Sequence, residues 1–503
     1  MWKYVLAAFV AVVVAAAGIA FYLSDKIFIR WPHAQVAQAE FGRRYAPAEL
    51  RADFRELTRT VEHIHPDIAA VTVQPAYDAL KAKTLASLDR PMTRLEFYRV
   101  LAPFAGRAYF DGHTELLPPD EEWDAYKAGG GTVPPFAIRI DGARLVVAGS
   151  VDAQIPQGAE LLAVDGVPSG ELRRQLIDTQ SMEAESGREA YGARRFSVRL
   201  WSMGLRPPFR LTFALRGETR TATVPGISFD AWSRAFSLGS GEPIHLTIAN
   251  GVAHLVIRNF ELPWDRYSGW LHDAFQKIRD AKVRAVILDL RENNGGDTRQ
   301  SDELQTYLSD KALPALAEVR VHATPEVKAA YRTLLPEGFR WIPLNTVVPM
   351  LHGIQTAPDN GTFAFQPDGA APAARSSVND LAFGGKLYVL IGPYTYSTAL
   401  IAAAPYKYWK RATFIGETTS EPMTFFGDYF EFDLPNTRLQ MHVSHKMFKL
   451  FGSPGPHAGL APDIAVSPAG PDAYVLALQD IARNSRRVTP RDTATPPSTG
   501  RSR

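Results

Sequence analysis

The chain has 503 residues, more than one ordinary domain holds, and 46% of them are hydrophobic, ample for globular cores. A formal net charge of +2 excludes the basic footprint of a nucleic-acid binder. The absence of cysteine excludes thiol catalysis and cysteine metal sites, and it suits an extracytoplasmic protein that does without disulfides.

Tyr4–Leu23 is an uncharged apolar run, about as long as the 20 residues that span a bilayer. Small residues at Ala15–Gly18 also suit a signal-peptide cleavage site. Continuation of the run through Phe21–Leu23 favours an uncleaved anchor within residues 1–30. From 46 to 120 the pattern is helical, over Leu50–Ile64, Tyr77–Leu88 and Thr93–Ala102. His63 and His65 stand two apart; a helix end at Pro66 explains them better than a metal site, and no metal or cofactor is expected. The stretch AYFDGHT then places His113 directly after an Asp111-Gly112 turn.

Residues 132–228 read as a small β-rich domain, with strands at Phe136–Ile140, Arg144–Val147 and Phe209–Leu215. Ile155–Leu176 looks like the core of a PDZ domain, a module that holds peptide ends by strand addition. A purely structural β-domain is the other reading.

Residues 243–468 read as an α/β core. Val252–Ile257 is a strand, Trp264–Ala281 an amphipathic helix, and Val286–Leu290 a strand covered on both faces. The stretch AVILDLRENNGG ends on Gly295 and Gly296, whose free backbone angles let another group approach closely. Gln300–Leu308 is the following helix. The design repeats in KLYVLIGPYTYSTALIAAA: strand Leu387–Ile391, a Gly-Pro turn, then Ser397 before the helix Thr398–Ala404. A serine there is either a helix cap or a reactive group at a strand's carboxyl end. Leu313–Phe383, with Phe339 and Trp341, is expected to form a flap over the site. Tyr429–Leu434 and Leu439–Val443 suggest a hairpin, with His442 and His445 on opposite faces of one strand. Residues 486–503 read as a disordered tail.

These stretches resemble the S41 family of serine peptidases, the tail-specific and tricorn-core group. DLRENNGG resembles its DLRxNxGG signature, YTYSTAL its nucleophile segment, FIGET (Phe414–Thr418) its xxGexT strand end, and GLAPDI (Gly459–Ile464) its GVxPDI close. AYFDGHT resembles the DGHT motif of the tricorn-like branch. The resemblance implies a mixed α/β multidomain fold: a helical N-terminal domain, a PDZ-like domain and a core of ββα units. It implies a serine endopeptidase acting on peptide or protein substrates, with its catalytic part outside the cytoplasm, or secreted if the leader is cleaved. Ser397 would be the nucleophile and His113 the base, with Gly295 or Gly296 and Thr398 supplying oxyanion donors.

Two departures stand out. TTSEPMT (Thr418–Thr424) lacks the lysine of the tail-specific members, and GSPGPHAG (Gly452–Gly459) lacks the glutamate of the tricorn-like members. Glu417 and Asp111 are then the candidates to orient His113. The same departures keep open an inactive S41-fold protein that binds peptides or hydrophobic ligands, and a membrane-anchored PDZ-type scaffold.

Overall fold

The run Ala285–Asp289 is buried throughout because it lies inside a six-stranded sheet. In order, the sheet is Ile464–Ala465, Ala412–Gly416, Lys386–Ile391, Ala285–Asp289, Val252–Ile257 and Ile244–Ala249, parallel except for the last pair. These coordinates are a computed structural model that describes residues 36–236, 242–333, 349–367, 369–374, 379–467 and 470–487. The expected anchor Tyr4–Leu23, the pair Phe339 and Trp341, and the tail beyond Arg487 lie outside the described residues.

Successive strand residues face opposite sides, so one apolar run feeds two cores. Val286, Leu288 and Leu290 pack with Leu271 and Phe275 of helix Trp264–Asp280, Leu304 of helix Thr298–Leu308, and Ala399 and Leu400 of helix Thr398–Tyr408. Ala285 and Ile287 pack with Ala477 and Ile481 of helix Ala473–Arg487, an element absent from the sequence expectations that reaches just into the expected tail.

The helical N-terminal region, Pro47–Ile64 to Arg94–Ala108, packs on a separate four-stranded antiparallel sheet. Its strands run Gly361–Phe365, Leu316–Ala323, Gln440–Leu450 and Thr424–Asp433. Buried Asp53 locks helix to sheet by accepting from the Asn436 and Thr437 backbone N–H groups, 2.9 and 2.8 Å, and from both side chains. This sheet corrects the expected flap. The hairpin strands extend well past the expected hairpin limits, and Leu316–Ala323 pairs with the extension from Lys446 to Leu450. The described part of 313–383 therefore includes sheet strands and the helices Pro325–Thr333 and Pro349–Thr356, whose Val327, Ala330 and Ile354 enter the same core.

Residues 132–228 build their own core around Phe136, Leu161, Phe196 and Phe213. The strands Phe136–Asp141, Arg144–Ser150, Glu160–Val164, Phe209–Leu215 and Glu218–Val224 pair in that order. Two helices not expected from sequence, Glu185–Arg194 and Phe196–Met203, complete this unit. Among the described residues no helix is long and apolar enough to cross a membrane.

Candidate active site

Ser397 follows the strand Lys386–Ile391 at the start of helix Thr398–Tyr408. Its hydroxyl caps nothing: the residue occupies the N-cap position with no side-chain cap bond. Its backbone sits at φ 53° and ψ −124°, a region that side-chain-bearing residues rarely enter and that costs on the order of 1–3 kcal/mol. The surrounding bonds hold this conformation. Thr395 Oγ1 donates to the Leu290 carbonyl at 2.8 Å, and Tyr396 N–H to that of Asn293 at 3.0 Å. The loop carrying the serine is thus tied to the loop after the neighbouring parallel strand.

His113 arrives from the other end of the chain. The segment after it lies along the strand Gln440–Leu450: Leu117 N–H donates to Gln440 O at 3.0 Å, and His442 N–H to Glu115 O at 2.9 Å. Asp111 fixes the turn. It accepts from His113 N–H at 3.0 Å and Thr114 Oγ1 at 2.6 Å, and its Oδ2 lies 3.2 Å from His65 Nε2. The result is His113 Nε2 at 3.1 Å from Ser397 Oγ. Burial holds the imidazole below its usual range, opposed by Asp111, Asp428 and Glu115. It is therefore neutral at pH 7, with a lone pair to accept a proton. His65, weighed as a metal ligand from sequence, is a partner of Asp111 instead.

The glycine turn meets Ser397 directly. A Cβ added to Gly295 would lie 2.8 Å from Ser397 Cβ, and one on Gly296 would lie 2.3 Å from the Phe260 carbonyl oxygen. Both glycines have positive φ, 109° and 129°. Buried Asn293 shapes the turn, donating to Ile257 O at 3.1 Å and accepting from Gly295 N–H at 2.9 Å. With the Gly295 amide engaged, the donors left near Ser397 are the amides of Gly296 and of Thr398, the latter in the first turn of its helix.

Of the two acids proposed from sequence, Glu417 is exposed and lines a separate cavity of about 640 Å³ with Asp289, Arg291 and His254. Asp111 is near, but its Oδ1 is 4.0 Å from His113 Nδ1 and its oxygens are already engaged. The acid that sequence reasoning missed is Glu421, fully buried, with Oε1 3.7 Å from His113 Nδ1 and Oε2 accepting from Ser397 N–H. The Glu421 carboxyl is pushed well above the usual carboxylate range by burial and then by Glu183. Glu183, also missed, accepts from Tyr396 Oη at 3.0 and 3.1 Å, and burial raises it to about 8. A second cavity, about 1260 Å³, runs from Trp123 and Trp232 to Asn294, next in sequence to Gly295.

Residues 251–466 match the family model described as Peptidase family S41. No curated protein sequence matches the chain. Among solved structures, mature CPAF is similar with a TM-score of 0.53 at 14% identity, over 83% of this chain and 93% of that one. CPAF complexed with lactacystin gives 0.54 at 13% identity, over 88% and 99%. The photosystem II D1 C-terminal processing protease gives 0.43 at 16% identity, over 84% and 94%. The CPAF likenesses carry the mixed α/β fold, with its helical N-terminal region and several sheets.

Proposed function

We propose that the protein is a serine-type endopeptidase in which Ser397 attacks a peptide carbonyl and His113 acts as general base. The observation that carries this reading is the 3.1 Å separation between His113 Nε2 and Ser397 Oγ. A serine hydroxyl is a weak nucleophile until a base takes its proton, and a neutral imidazole does so near pH 7. The same imidazole then returns the proton to the leaving amine. The oxyanion would be met by the amides of Gly296 and Thr398, each such donor worth roughly 3–4 kcal/mol. The Gly295 amide, engaged with Asn293, is left to shape the turn.

The apolar run Tyr4–Leu23 supports a membrane-anchored enzyme with its catalytic part outside the cytoplasm. The test of the chemistry is peptide hydrolysis by wild type, Ser397→Ala and His113→Ala, beside their melting temperatures. The reading expects both variants to fold and to lose activity by orders of magnitude. Full hydrolysis by a folded Ser397→Ala would rule out Ser397 as the nucleophile, and a folded wild type that hydrolyses no peptide would put the peptide-binding alternative in its place.

A further inference from the structure

We infer that Glu421 is the residue that positions His113, that it does so only as a carboxylate, and that Glu183 governs that state. The inference rests on reading His113 as the base.

Two carboxylates stand near His113 Nδ1, Asp111 Oδ1 at 4.0 Å and Glu421 Oε1 at 3.7 Å, while the Phe426 backbone also acts on the imidazole. Asp111 is occupied by His113 N–H, Thr114 and His65. Glu421 is different. Its Oε1 and the facing Nδ1 are both buried, and neither has a hydrogen-bond partner. Two orphaned polar atoms cost most where water is excluded, and closing the gap by about 0.7 Å joins them. The other oxygen, Oε2, takes the Ser397 N–H. One carboxyl group thereby reaches both the nucleophile's backbone and the base.

The protonation state of Glu421 decides the tautomer of His113. As a carboxylate, Glu421 accepts the Nδ1 proton, and Nε2 keeps its lone pair towards Ser397. As a neutral acid, Glu421 donates through Oε1 to Nδ1, and the imidazole proton moves to Nε2, where it cannot accept from Ser397. The groups facing Glu421 are Glu183, Asp111, Tyr396 and Tyr191 besides His113, with no cation among them. Glu183 is held by the Tyr396 hydroxyl and, at 3.4 Å, the Gly112 N–H, with Arg188 as its more distant counter-charge. A charge on Glu183 therefore opposes a charge on Glu421. Burial works the same way on both, so this pair sets an acid limit to activity above the ordinary carboxylate range.

The test is the pH profile of kcat and kcat/KM for wild type, Glu421→Gln and Glu183→Gln, with Ser397→Ala as control and melting curves for all. Glu421→Gln is expected to fold and lose about 10²–10⁴-fold in kcat with little change in KM. Glu183→Gln is expected to keep its plateau activity while its acid limb moves down by about one pH unit or more. Glu421→Asp, a shorter carboxylate, is expected to recover part of the loss. A folded Glu421→Gln with wild-type kcat and pH profile overturns the inference while leaving Ser397 and His113 in place. If Glu421→Gln does not fold, an unmoved acid limb in Glu183→Gln overturns it. Hydrolysis that survives Ser397→Ala overturns both this inference and the reading beneath it.

Discussion

His113 and Ser397 are 284 residues apart in the chain and 3.1 Å apart in the fold. Each is delivered by a different sheet. The serine hangs from the parallel sheet, whose two central strands end in the loops joined by Thr395 and Asn293. The histidine hangs from the antiparallel sheet, through Thr114 Oγ1, which accepts from Ser444 N–H at 3.1 Å, and the bridge of Leu116 to Met441. The distance between His113 and Ser397 is therefore set by how the two sheets pack, and changes remote from the site can open it.

The backbone of Ser397 is where the site stores strain. At φ 53° and ψ −124° a glycine is at ease and an alanine is not. Ser397→Gly should therefore be more stable than Ser397→Ala by about 1 kcal/mol. Helix propensity alone predicts the reverse order. Thermal or urea unfolding of the two variants checks it.

Gly295→Ala should inactivate before it unfolds. Its Cβ would come within 2.8 Å of Ser397 Cβ and 3.1 Å of the Thr398 nitrogen, pushing Ser397 off its position. A displacement of about 1 Å is enough for a loss near 100-fold in kcat/KM. Kinetics and a melting curve on the same preparation separate the two effects.

Asp111→Ala should destabilise the protein strongly. It deletes a buried carboxylate that, against burial, is held down to about 2 by the bonds and charge of His65 and by His113, and it leaves His65, the His113 N–H and Thr114 Oγ1 without that partner. Removing one member of such a buried cluster costs roughly 3–5 kcal/mol. Denaturant unfolding measures the loss, and the resulting movement of His113 should lower activity as well.

Stability should fall in mild acid because of His442. Burial lowers its pKa from 6.5 to about 4, while it stacks on Tyr429 at 4.0 Å between ring centres. The folded protein keeps His442 neutral while the unfolded chain takes up a proton below pH 6.5. Its contribution is thus fully present above that pH and is lost as pH falls towards 4, up to about 3 kcal/mol. Glu183 and Glu421, with raised values, act in the opposite direction. The check is therefore a difference: between pH 7 and 4.5, His442→Asn should lose less unfolding free energy than wild type.

The native protein should sediment with membranes and resist alkaline carbonate, given the uncharged run Tyr4–Leu23. A soluble mature chain beginning near residue 18 to 30 would instead identify the run as a cleaved leader.

Much of the candidate site's geometry was legible where a residue's type carries its conformation. Gly295 and Gly296 announced a close approach, and the repeated strand–turn–helix design pointed to Ser397. Glu421 was not legible for a physical reason. In sequence it is one acid in the loop TTSEPMT. It is buried only because Thr419 N–H donates to Leu460 O and Met423 N–H to Ala458 O, folding the loop under Gly459. Glu417, its exposed neighbour in the FIGET motif, looked the better acid because the motif drew attention to it. The strand Leu316–Ala323 within the expected flap was not legible for a similar reason, since a prolonged hairpin edge at Lys446–Leu450 has no local signal for the strand that will pair with it.

The most direct test of the central claim is labelling with a fluorophosphonate, followed by mass mapping of the adduct in wild type, Ser397→Ala and His113→Ala. The account predicts one adduct on Ser397 in wild type, none in Ser397→Ala, and labelling slowed by at least about 100-fold in His113→Ala. An unlabelled wild type that is folded, or an adduct that persists in Ser397→Ala, would contradict it.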